Sequence, residues 1–434
     1  MKDGHWPHAS IRDMRALVSR LTGTGARQSL IAITDQTVVS GTRFAATILI
    51  GRIAGMEELG LYAIGFSIII LISTIQEALL MSPYSVLGAR EGAAGRRRFA
   101  DSIFTLSCGL GVVHMCAALF GAFLAPALGY ADQFYFLIAI AITVPFALLH
   151  NFARKMCYAH FRLRDALFLD TGVTVIQITG LVGLAMTASL SAATSIAAMG
   201  VASAVPGLVW FYSNQHSFVT RWKRAWIQLR QNWAFGKWIL GTQQIRTLGG
   251  SMILWFISAL SGVAAAGVFA ACSIVITAAN PLLLGMSNIL EPRTAGAYVN
   301  GGHTALARIV RRTTIALAYM LGAYGVVVFL GGTNAITWLY DDEQLRDQAH
   351  MLMVMAFIVL LRGLMLAPSL GLRALGRTKY NFAASLLNLL VSLTLAYPLI
   401  VQFGALGGAY AIFGGVIAGS AARLWFFARA MKNG

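Results

Sequence analysis

Twelve apolar stretches of about 20 residues constrain the fold of this chain more than any other feature. The hydrocarbon core of a bilayer is about 30 Å thick, and an α-helix crosses it in about 20 residues. Charged residues make up only 11% of the 434 residues, against about 25% in soluble domains, which excludes a soluble globular enzyme. We therefore predict an all-α polytopic membrane protein. The twelve predicted spans are approximately 28–50, 59–81, 103–127, 133–152, 167–188, 192–213, 237–260, 263–290, 312–332, 347–368, 380–401 and 404–427.

The basic residues of the chain are almost confined to one side of the predicted membrane. With the N-terminus in the cytoplasm, 27 of the 33 Lys and Arg fall in cytoplasmic segments, and only Arg52 and Arg346 fall in external ones. Cytoplasmic loops carry such an excess of basic residues in membrane proteins. The pattern predicts a multi-pass membrane protein with both termini in the cytoplasm. It also accounts for the net charge of +17 without a nucleic-acid partner.

The cysteines and histidines show no spacing typical of a metal or redox site. Cys108, Cys116 and Cys272 fall inside apolar runs and Cys157 at the end of one, so we interpret all four as small packing residues. The eight histidines form no cluster with cysteine. We predict no metal and no cofactor, apart from an H⁺ or Na⁺ that would couple transport to an ion gradient.

The two halves of the chain resemble each other at an offset of 207–209 residues. Each half holds six spans, an even number, so the repeat is parallel and its axis lies along the membrane normal. Two such lobes leave a central cleft, and their rocking about a site at mid-membrane would give alternating access. The repeat therefore indicates a transporter. The matching motifs are Thr34-Asp35-Gln36 with Thr242-Gln243-Gln244, Gly60-Leu61-Tyr62-Ala63 with Gly267-Val268-Phe269-Ala270, and Ser82-Pro83 with Glu291-Pro292.

The predicted domain organisation follows from the spans. It comprises a cytoplasmic segment 1–27, an N-lobe 28–213, a cytoplasmic linker 214–236, a C-lobe 237–428 and a tail 429–434. In the linker, Trp222, Trp226, Leu229 and Trp233 fall on one helical face. We therefore predict that it is an amphipathic helix lying in the membrane interface, with membrane lipids as partners.

Ionisable residues inside the spans are the candidate functional residues, because each costs about 2.5–3.5 kcal/mol at the centre of a bilayer. Asp35 and Arg43 share span 1 and differ by about 80° around the helix, so both can face the cleft. Arg246 has no acidic residue in its own span and needs a ligand, water or carbonyl groups. We predict substrate-binding roles for Arg43, Arg246, Arg362, Gln36 and Gln243, and ion-coupling roles for Asp35 and Glu77.

Structural roles are the alternative for each of these residues. Asp35 and Arg43 could pair with polar neighbours inside the N-lobe, Glu77 could pair with Arg43 or Arg90, and Arg362 could extend to the cytoplasmic interface. Taken together, the charges in the spans are mainly basic. Because Arg binds phosphates bidentately, this bias favours an anionic ligand such as a pyrophosphate over a lipophilic cation.

Several motifs give the chain a family resemblance. They are Asp35-Gln36 with Ser40-Gly41 and Phe44, the segment from Gly51-Arg52 to Gly60-Leu61-Tyr62-Ala63, Tyr158 with Phe161-Arg162 and Ala166, and Leu372-Arg373-Ala374-Leu375-Gly376-Arg377. With twelve spans in two lobes, the chain resembles the multidrug/oligosaccharidyl-lipid/polysaccharide (MOP) exporter superfamily. Within it, the chain looks like the Wzx-like polysaccharide-export flippases. It lacks fourteen spans, which argues against the closest relatives of the lipid II flippase.

The resemblance implies a function. It implies flipping of an undecaprenyl-pyrophosphate-linked oligosaccharide to the periplasmic leaflet, with Arg43 and Arg246 as cavity cations. Polysaccharide-assembly proteins are further candidate partners. Two alternatives remain open: a cation-coupled multidrug antiporter of the same superfamily, and a membrane enzyme or scaffold for glycan assembly. External loops are short and hold no cluster of catalytic residues, so we predict that the protein is not an enzyme.

Overall fold

The computed structural model describes residues 24–88, 91–214 and 222–432, and these segments are almost entirely helical. A π-helical turn, Glu77–Met81, joins α2 to α3, and short 3₁₀ turns lie at Pro126–Leu128, Ala131–Gln133 and Glu343–Gln348. The α-helices are α1 Thr24–Ile53, α2 Met56–Gln76, α3 Ser82–Leu87, α4 Ala93–Leu124, α5 Phe134–Ala159, α6 Leu163–Met186, α7 Ala192–Asn214, α8 Trp222–Ser261, α9 Val263–Cys272, α10 Ile274–Tyr340, α11 Ala349–Leu364, α12 Leu366–Ala374 and α13 Thr378–Lys432.

Two of the helices, α10 and α13, each contain two spans. The break lies at Gly302 in α10 (φ 60°, ψ −152°) and at Gly404 in α13 (φ 57°, ψ −131°). Glycine adopts positive φ without steric cost, so both residues turn the chain between consecutive helices. With these breaks, each of the twelve predicted spans overlaps a helical region, with ends that differ by a few residues, and the two-lobe all-α architecture is confirmed.

Hydropathy separates the first helix of each lobe from the rest. In the part of the chain that the structure describes, nine helical segments are long and apolar enough to cross a membrane, and one of them, Thr378–Lys432, contains two spans. Helices α1 and α8 are not among the nine. Both carry charged and amide side chains at mid-span, which lowers their hydropathy. The two most polar helices therefore occupy equivalent places in the repeat.

The internal repeat is visible in the backbone. Gly55 (φ 89°) and Gly262 (φ 92°) precede the second helix of their respective lobes, and they lie at the offset of the repeated motifs. The turn after α5 recurs after α12: the N–H of Arg162 donates to the carbonyl of Cys157 at 2.8 Å, and that of Arg377 to the carbonyl of Leu372 at 2.9 Å. Both turns close through a left-handed residue, Phe161 in the first and Gly376 in the second.

The lobes contact each other tightly at the end where α2 and α9 begin, which is the predicted periplasmic end. Gly60 and Gly267 allow the closest approach, since a Cβ on Gly60 would overlap the carbonyl of Val263 and one on Gly267 that of Met56. Nearby, Arg52 pairs with Asp341 across the lobes at 3.4 Å. This end of the cleft is closed by helix packing.

The linker predicted at 214–236 differs from the structure. Residues 215–221 lie outside the described segments, and from Trp222 the chain forms one helix that runs to Ser261. No proline or glycine interrupts the sequence between Trp222 and Gly236, so the start of the first C-lobe helix incorporates the second half of the linker. Trp222 packs against Gly109 of α4.

Candidate functional site

A cavity of about 460 Å³ lies inside the N-lobe, and one C-lobe residue, Gln243, closes its wall. Helices α1, α2, α5, α6 and α7 supply the other side chains. The polar lining residues are Thr42, Arg43, Tyr62, Ser73, Thr74, Gln76, Glu77, His150, Asn151, Arg154, Lys155, Asp170, Thr174, Gln177, Ser203 and Gln243. The cavity is therefore a polar space within the largely apolar N-lobe, and the C-lobe borders it at Gln243.

Arg43 faces this cavity and is exposed to it. Its guanidinium carbon lies 5.2 Å from the ring centroid of Phe66, a cation–π contact that positions the side chain without neutralising it. Among the described residues, no carboxylate lies within ion-pair distance of Arg43. Arg43 is thus available to an anionic ligand.

Two buried carboxylates share one arginine, and one of them lines the cavity while the other lies behind its wall. The Arg154 side chain on α5 donates from Nη2 to Asp35 on α1 at 2.7 Å and from Nε to Asp170 on α6 at 2.5 Å. The Tyr158 hydroxyl also donates to Asp35 at 2.5 Å, and His150 Nε2 lies 3.0 Å from Asp170. Both carboxylates are almost completely inaccessible to solvent. Burial of this kind requires a partner charge, and Arg154 supplies it to three helices at once.

The position of Asp35 differs from the expectation that Asp35 and Arg43 face one cleft. Arg43 lines the cavity, whereas Asp35 lies behind the Arg154 guanidinium and is not part of the lining. An angle of about 80° around the helix is compatible with two arrangements. Both side chains can face the cavity, or one can face the cavity while the other packs against a neighbouring helix. The ion-coupling role of Asp35 remains a prediction, and any proton would reach it through the ion pair with Arg154.

Glu77 lines the same cavity and pairs with Lys155 at 2.9 Å. It was expected to pair with Arg43 or Arg90. The structure provides Lys155 instead, and Arg90 lies outside the described residues. Glu77 opens the π-helical turn Glu77–Met81, and π turns within α-helices are frequent at functional sites.

The C-lobe contributes arginines without acids. Arg246 and Arg362 are both exposed, and they lie within electrostatic range of one another. Helices α8 and α11, which carry Arg246 and Arg362 respectively, contain no Asp or Glu. Arg246 follows Gln243 by three residues and shares its helix face. That face turns toward the cavity, since Gln243 closes the cavity wall and its Oε1 is buried with no partner in the described structure.

Four predicted site residues lie outside the cavity lining: Gln36, Asp35, Arg246 and Arg362. The Gln36 side chain is partly buried and donates to Ser40 Oγ at 3.4 Å, within its own helix. Gln244, next to Gln243, donates to the carbonyl of Leu71 across the lobes at 3.3 Å. The structure therefore brings Arg43, Glu77 and Gln243 together at the cavity and leaves Gln36 apart.

Four residues of the site were not predicted from the sequence: His150, Arg154, Tyr158 and Asp170. Span 4 was predicted to end at 152, so Arg154 was assigned to a cytoplasmic loop. Helix α5 continues to Ala159, which places Arg154 inside the bundle. Asp170 was recognisable, because it is an acidic residue inside span 5. Within the described segments, no group of three or more His, Cys, Asp or Glu residues is placed to hold a metal ion.

No protein-family model and no curated protein match the chain. Several solved structures do. An inward-facing multidrug-resistance MATE transporter of the MOP superfamily superposes with a TM-score of 0.77 at 16% identity, covering 92% of this chain and 96% of that one. The lipid II flippase MurJ, in an inward closed conformation, gives 0.72 at 14% identity, covering 94% and 90%. The chain has the fold of the MOP superfamily transporters.

The MOP fold confirms the superfamily resemblance of the sequence. A further solved structure with this fold is a MOP superfamily transporter from Pyrococcus furiosus, described as having a binding pocket of reverse polarity (TM-score 0.65, 16% identity, 94% and 96% coverage). An outward-facing MATE transporter superposes with a TM-score of 0.66, below the 0.77 of the inward-facing structure.

Proposed function

We propose that this protein is a transporter that flips a lipid-linked anionic oligosaccharide, of the undecaprenyl-pyrophosphate class, across the inner membrane by alternating access. The observation that carries the proposal is the unneutralised charge of the cleft. Arg246 and Arg362 lie within electrostatic range of one another on helices without acids. Arg43 lines the cavity of the other lobe, with no carboxylate within ion-pair distance in the described structure.

The charge difference between the lobes supports an anionic ligand. In the N-lobe, Asp35 and Asp170 share Arg154, and Glu77 pairs with Lys155. Together with Arg43, the three cations around this cavity match the three carboxylates, so Arg246 and Arg362 of the C-lobe are left over. Their guanidinium groups would repel each other in a space of low dielectric in the absence of a counter-charge. A pyrophosphate supplies that charge and accepts bidentate hydrogen bonds from each guanidinium.

The fold suggests how such a ligand would move. The pyrophosphate would bind to the arginines of both lobes, the glycan would occupy the aqueous cleft and the prenyl chain would stay in the bilayer. Binding across the lobes would draw Arg43 toward Arg246 and favour rocking of the lobes, which would open the predicted periplasmic end. Release of the anion would restore repulsion between the arginines and return the inward-facing state.

An ion gradient would act through the N-lobe. Protonation of Asp35 or Asp170 would weaken the Arg154 ion pairs, and Arg154 also lines the cavity. A freed Arg154 would add a fourth cation to the cleft. We propose this as the means by which H⁺ uptake, or Na⁺ binding at the same carboxylates, would change the affinity for the anionic ligand.

The second candidate is a cation-coupled multidrug antiporter. The buried carboxylates Asp35 and Asp170 favour it, because a membrane-buried acid is a candidate proton or cation site. The basic C-lobe opposes it. The two candidates differ in which charge the ligand carries, so removal of the C-lobe arginines would impair the flippase and leave an antiporter of cationic drugs active.

Replacement of Arg246 or Arg362 by alanine tests the proposal. Each loss removes charge-assisted hydrogen bonds worth about 1.5–3 kcal/mol, so we expect the rate of polysaccharide export to fall roughly 10- to 100-fold in a cell that depends on this protein. Arg423→Ala is the matched control, since Arg423 contacts Ser385 within the C-lobe. Full export by correctly folded Arg246→Ala and Arg362→Ala proteins would exclude the proposed site.

A further inference from the structure

A second cavity, of about 610 Å³, lies at the predicted cytoplasmic end of the N-lobe. It is surrounded by α3, the start of α4, the end of α5 and the end of α7. It shares no lining residue with the cavity of about 460 Å³ that contains Arg43. Its polar lining includes Tyr84, Glu91, Arg96, Arg97, His160 and Arg162. The transport proposal uses none of these residues.

Arg96 is held in place within this cavity. Its Nη2 donates to the carbonyl of Ala159 at 2.6 Å, which attaches the start of α4 to the end of α5. Its guanidinium carbon lies 5.8 Å from the ring centroid of Tyr84. The Nε–H is buried and has no partner in the described structure. A guanidinium that is already oriented and retains an unused donor loses little entropy when it binds a planar or tetrahedral oxyanion.

The charges around Arg96 are mainly basic. Arg97 and Arg162 also line the cavity, and Glu91 is the acidic residue of the lining. Arg162 shares its charge with Asp165, at 2.5 Å. The His160 ring is held in place by its Nδ1–H, which donates to the carbonyl of Met156 at 2.8 Å. The cavity therefore presents a positive field together with several hydrogen-bonding groups of fixed position.

Two exposed aromatic side chains flank the helix ends that form the cavity. Phe161, next to His160, is 76% exposed, and Tyr212, near the end of α7, is 74% exposed. Aromatic side chains of this kind anchor membrane proteins at the level of the lipid headgroups. Basic pockets between transmembrane helices on the cytoplasmic side bind anionic headgroups. The cavity thus lies at the depth where phosphate diesters of phospholipids are found.

We propose that this cavity is a binding site for a phosphoryl anion, with Arg96 as its central ligand and Arg97 and Arg162 as supporting cations. The phosphate could belong to an anionic phospholipid headgroup or to a soluble phosphate ester, and both present the same oxygens to Arg96. A bound phosphate would join the start of α4 to the α5–α6 turn. It would thereby fix the end of the helix that carries Arg154.

Thermal stability of the full-length protein in neutral detergent tests the site. We expect phosphatidylglycerol to raise the melting temperature in a concentration-dependent manner, and phosphatidylcholine to have a much smaller effect. Arg96→Ala should weaken the apparent affinity for phosphatidylglycerol at least tenfold. Arg164→Ala removes the same charge from the start of α6, outside the cavity lining, so this variant should bind phosphatidylglycerol as the unmodified protein does.

Glycerol 1-phosphate and inorganic phosphate form the second arm of the experiment. If they stabilise the protein through Arg96 at millimolar concentration, the ligand is a soluble phosphate; if phosphatidylglycerol alone does so, it is the lipid headgroup. The proposal is overturned if neither stabilises the protein, or if Arg96→Ala and the unmodified protein respond equally. Should Arg96→Ala fail to fold, Arg162→Gln on the exposed turn should weaken binding several-fold, with Arg164→Gln as its control. Equal binding by these two variants would also overturn the proposal.

Discussion

Replacement of Arg154 by alanine is expected to lower the free energy of unfolding by about 3–5 kcal/mol, because it leaves buried carboxylates without their counter-charge. Asp35 and Asp170 are 0% and 2% exposed, and Arg154 donates to both. Tyr158 and His150 would remain as hydrogen-bond partners of Asp35 and Asp170. Neither replaces the Arg154 guanidinium, which links α5 to both α1 and α6. Unfolding in mixed micelles, or the melting temperature in detergent, measures the loss.

The neighbouring ion pair provides the control for this prediction. Lys155→Ala removes a cation of the same helix that pairs with Glu77, but both side chains of this pair are about a third exposed. Pairs that water reaches contribute about 0–1 kcal/mol. A combined variant with Arg154→Ala, Asp35→Asn and Asp170→Asn should recover most of the stability, since no uncompensated charge remains. If Arg154→Ala is as stable as Lys155→Ala, the buried cluster does not hold the N-lobe together.

Alanine at both Gly60 and Gly267 is expected to prevent closure of the predicted periplasmic end. An added Cβ at either position would overlap a backbone carbonyl of the facing helix, and backbone cannot move aside as a side chain can. Overpacking costs about 1–3 kcal/mol at each position. A cost confined to one conformation shifts the equilibrium between conformations by that amount. The variant should favour the state with separated lobes, and transport should fall at least tenfold.

Accessibility of a cysteine between the lobes measures this shift. Ser67 is buried at the lobe interface, where its hydroxyl accepts a hydrogen bond from Trp255 of the C-lobe. With Ser67→Cys in a background without exposed native cysteines, an impermeant maleimide added from outside should label the double-alanine variant faster than the parent. Alanine at Gly322, where an added Cβ meets no atom within 4 Å, should change neither labelling nor transport. Unchanged labelling of the double variant would show that these glycines do not close the cleft.

Hydropathy and local motifs were sufficient to predict the number of helices and the two-lobe repeat. Lipid excludes unsatisfied backbone groups, so a long apolar run has few folds available to it. The low hydropathy of α1 and α8 also marked the two polar helices of the cleft. The motifs that contain Gly60 and Gly267 were recognised as repeats of each other, but the contact between the two glycines was not predicted. A sequence repeat shows which residues are equivalent in the two lobes, but not which equivalent residues lie near the axis and touch.

The partners of the charged side chains were not predictable from the sequence. Arg154 lies beyond the predicted end of span 4, where the hydropathy falls although the helix continues to Ala159. Asp35 could face the cavity or a neighbouring helix, and helix rotation decides between the two. The rotation of a helix about its axis depends on how all the helices pack together. The pattern of residues along a single helix does not contain that information. By contrast, the sequence was sufficient to predict that Arg246 has no acidic partner in its own span, because that span contains no Asp or Glu.

Ligand-induced stabilisation of the purified protein tests most directly whether the cleft binds an anion. A ligand that binds only the folded state raises its stability by RT ln(1 + [L]/Kd). We expect undecaprenyl pyrophosphate bearing a short glycan to raise the melting temperature, and Arg246→Ala to abolish the rise, whereas a lipophilic dye cation should have no effect. Stabilisation by the cation alone, lost in Asp35→Asn and retained in Arg246→Ala, would contradict the flippase proposal and identify a multidrug antiporter.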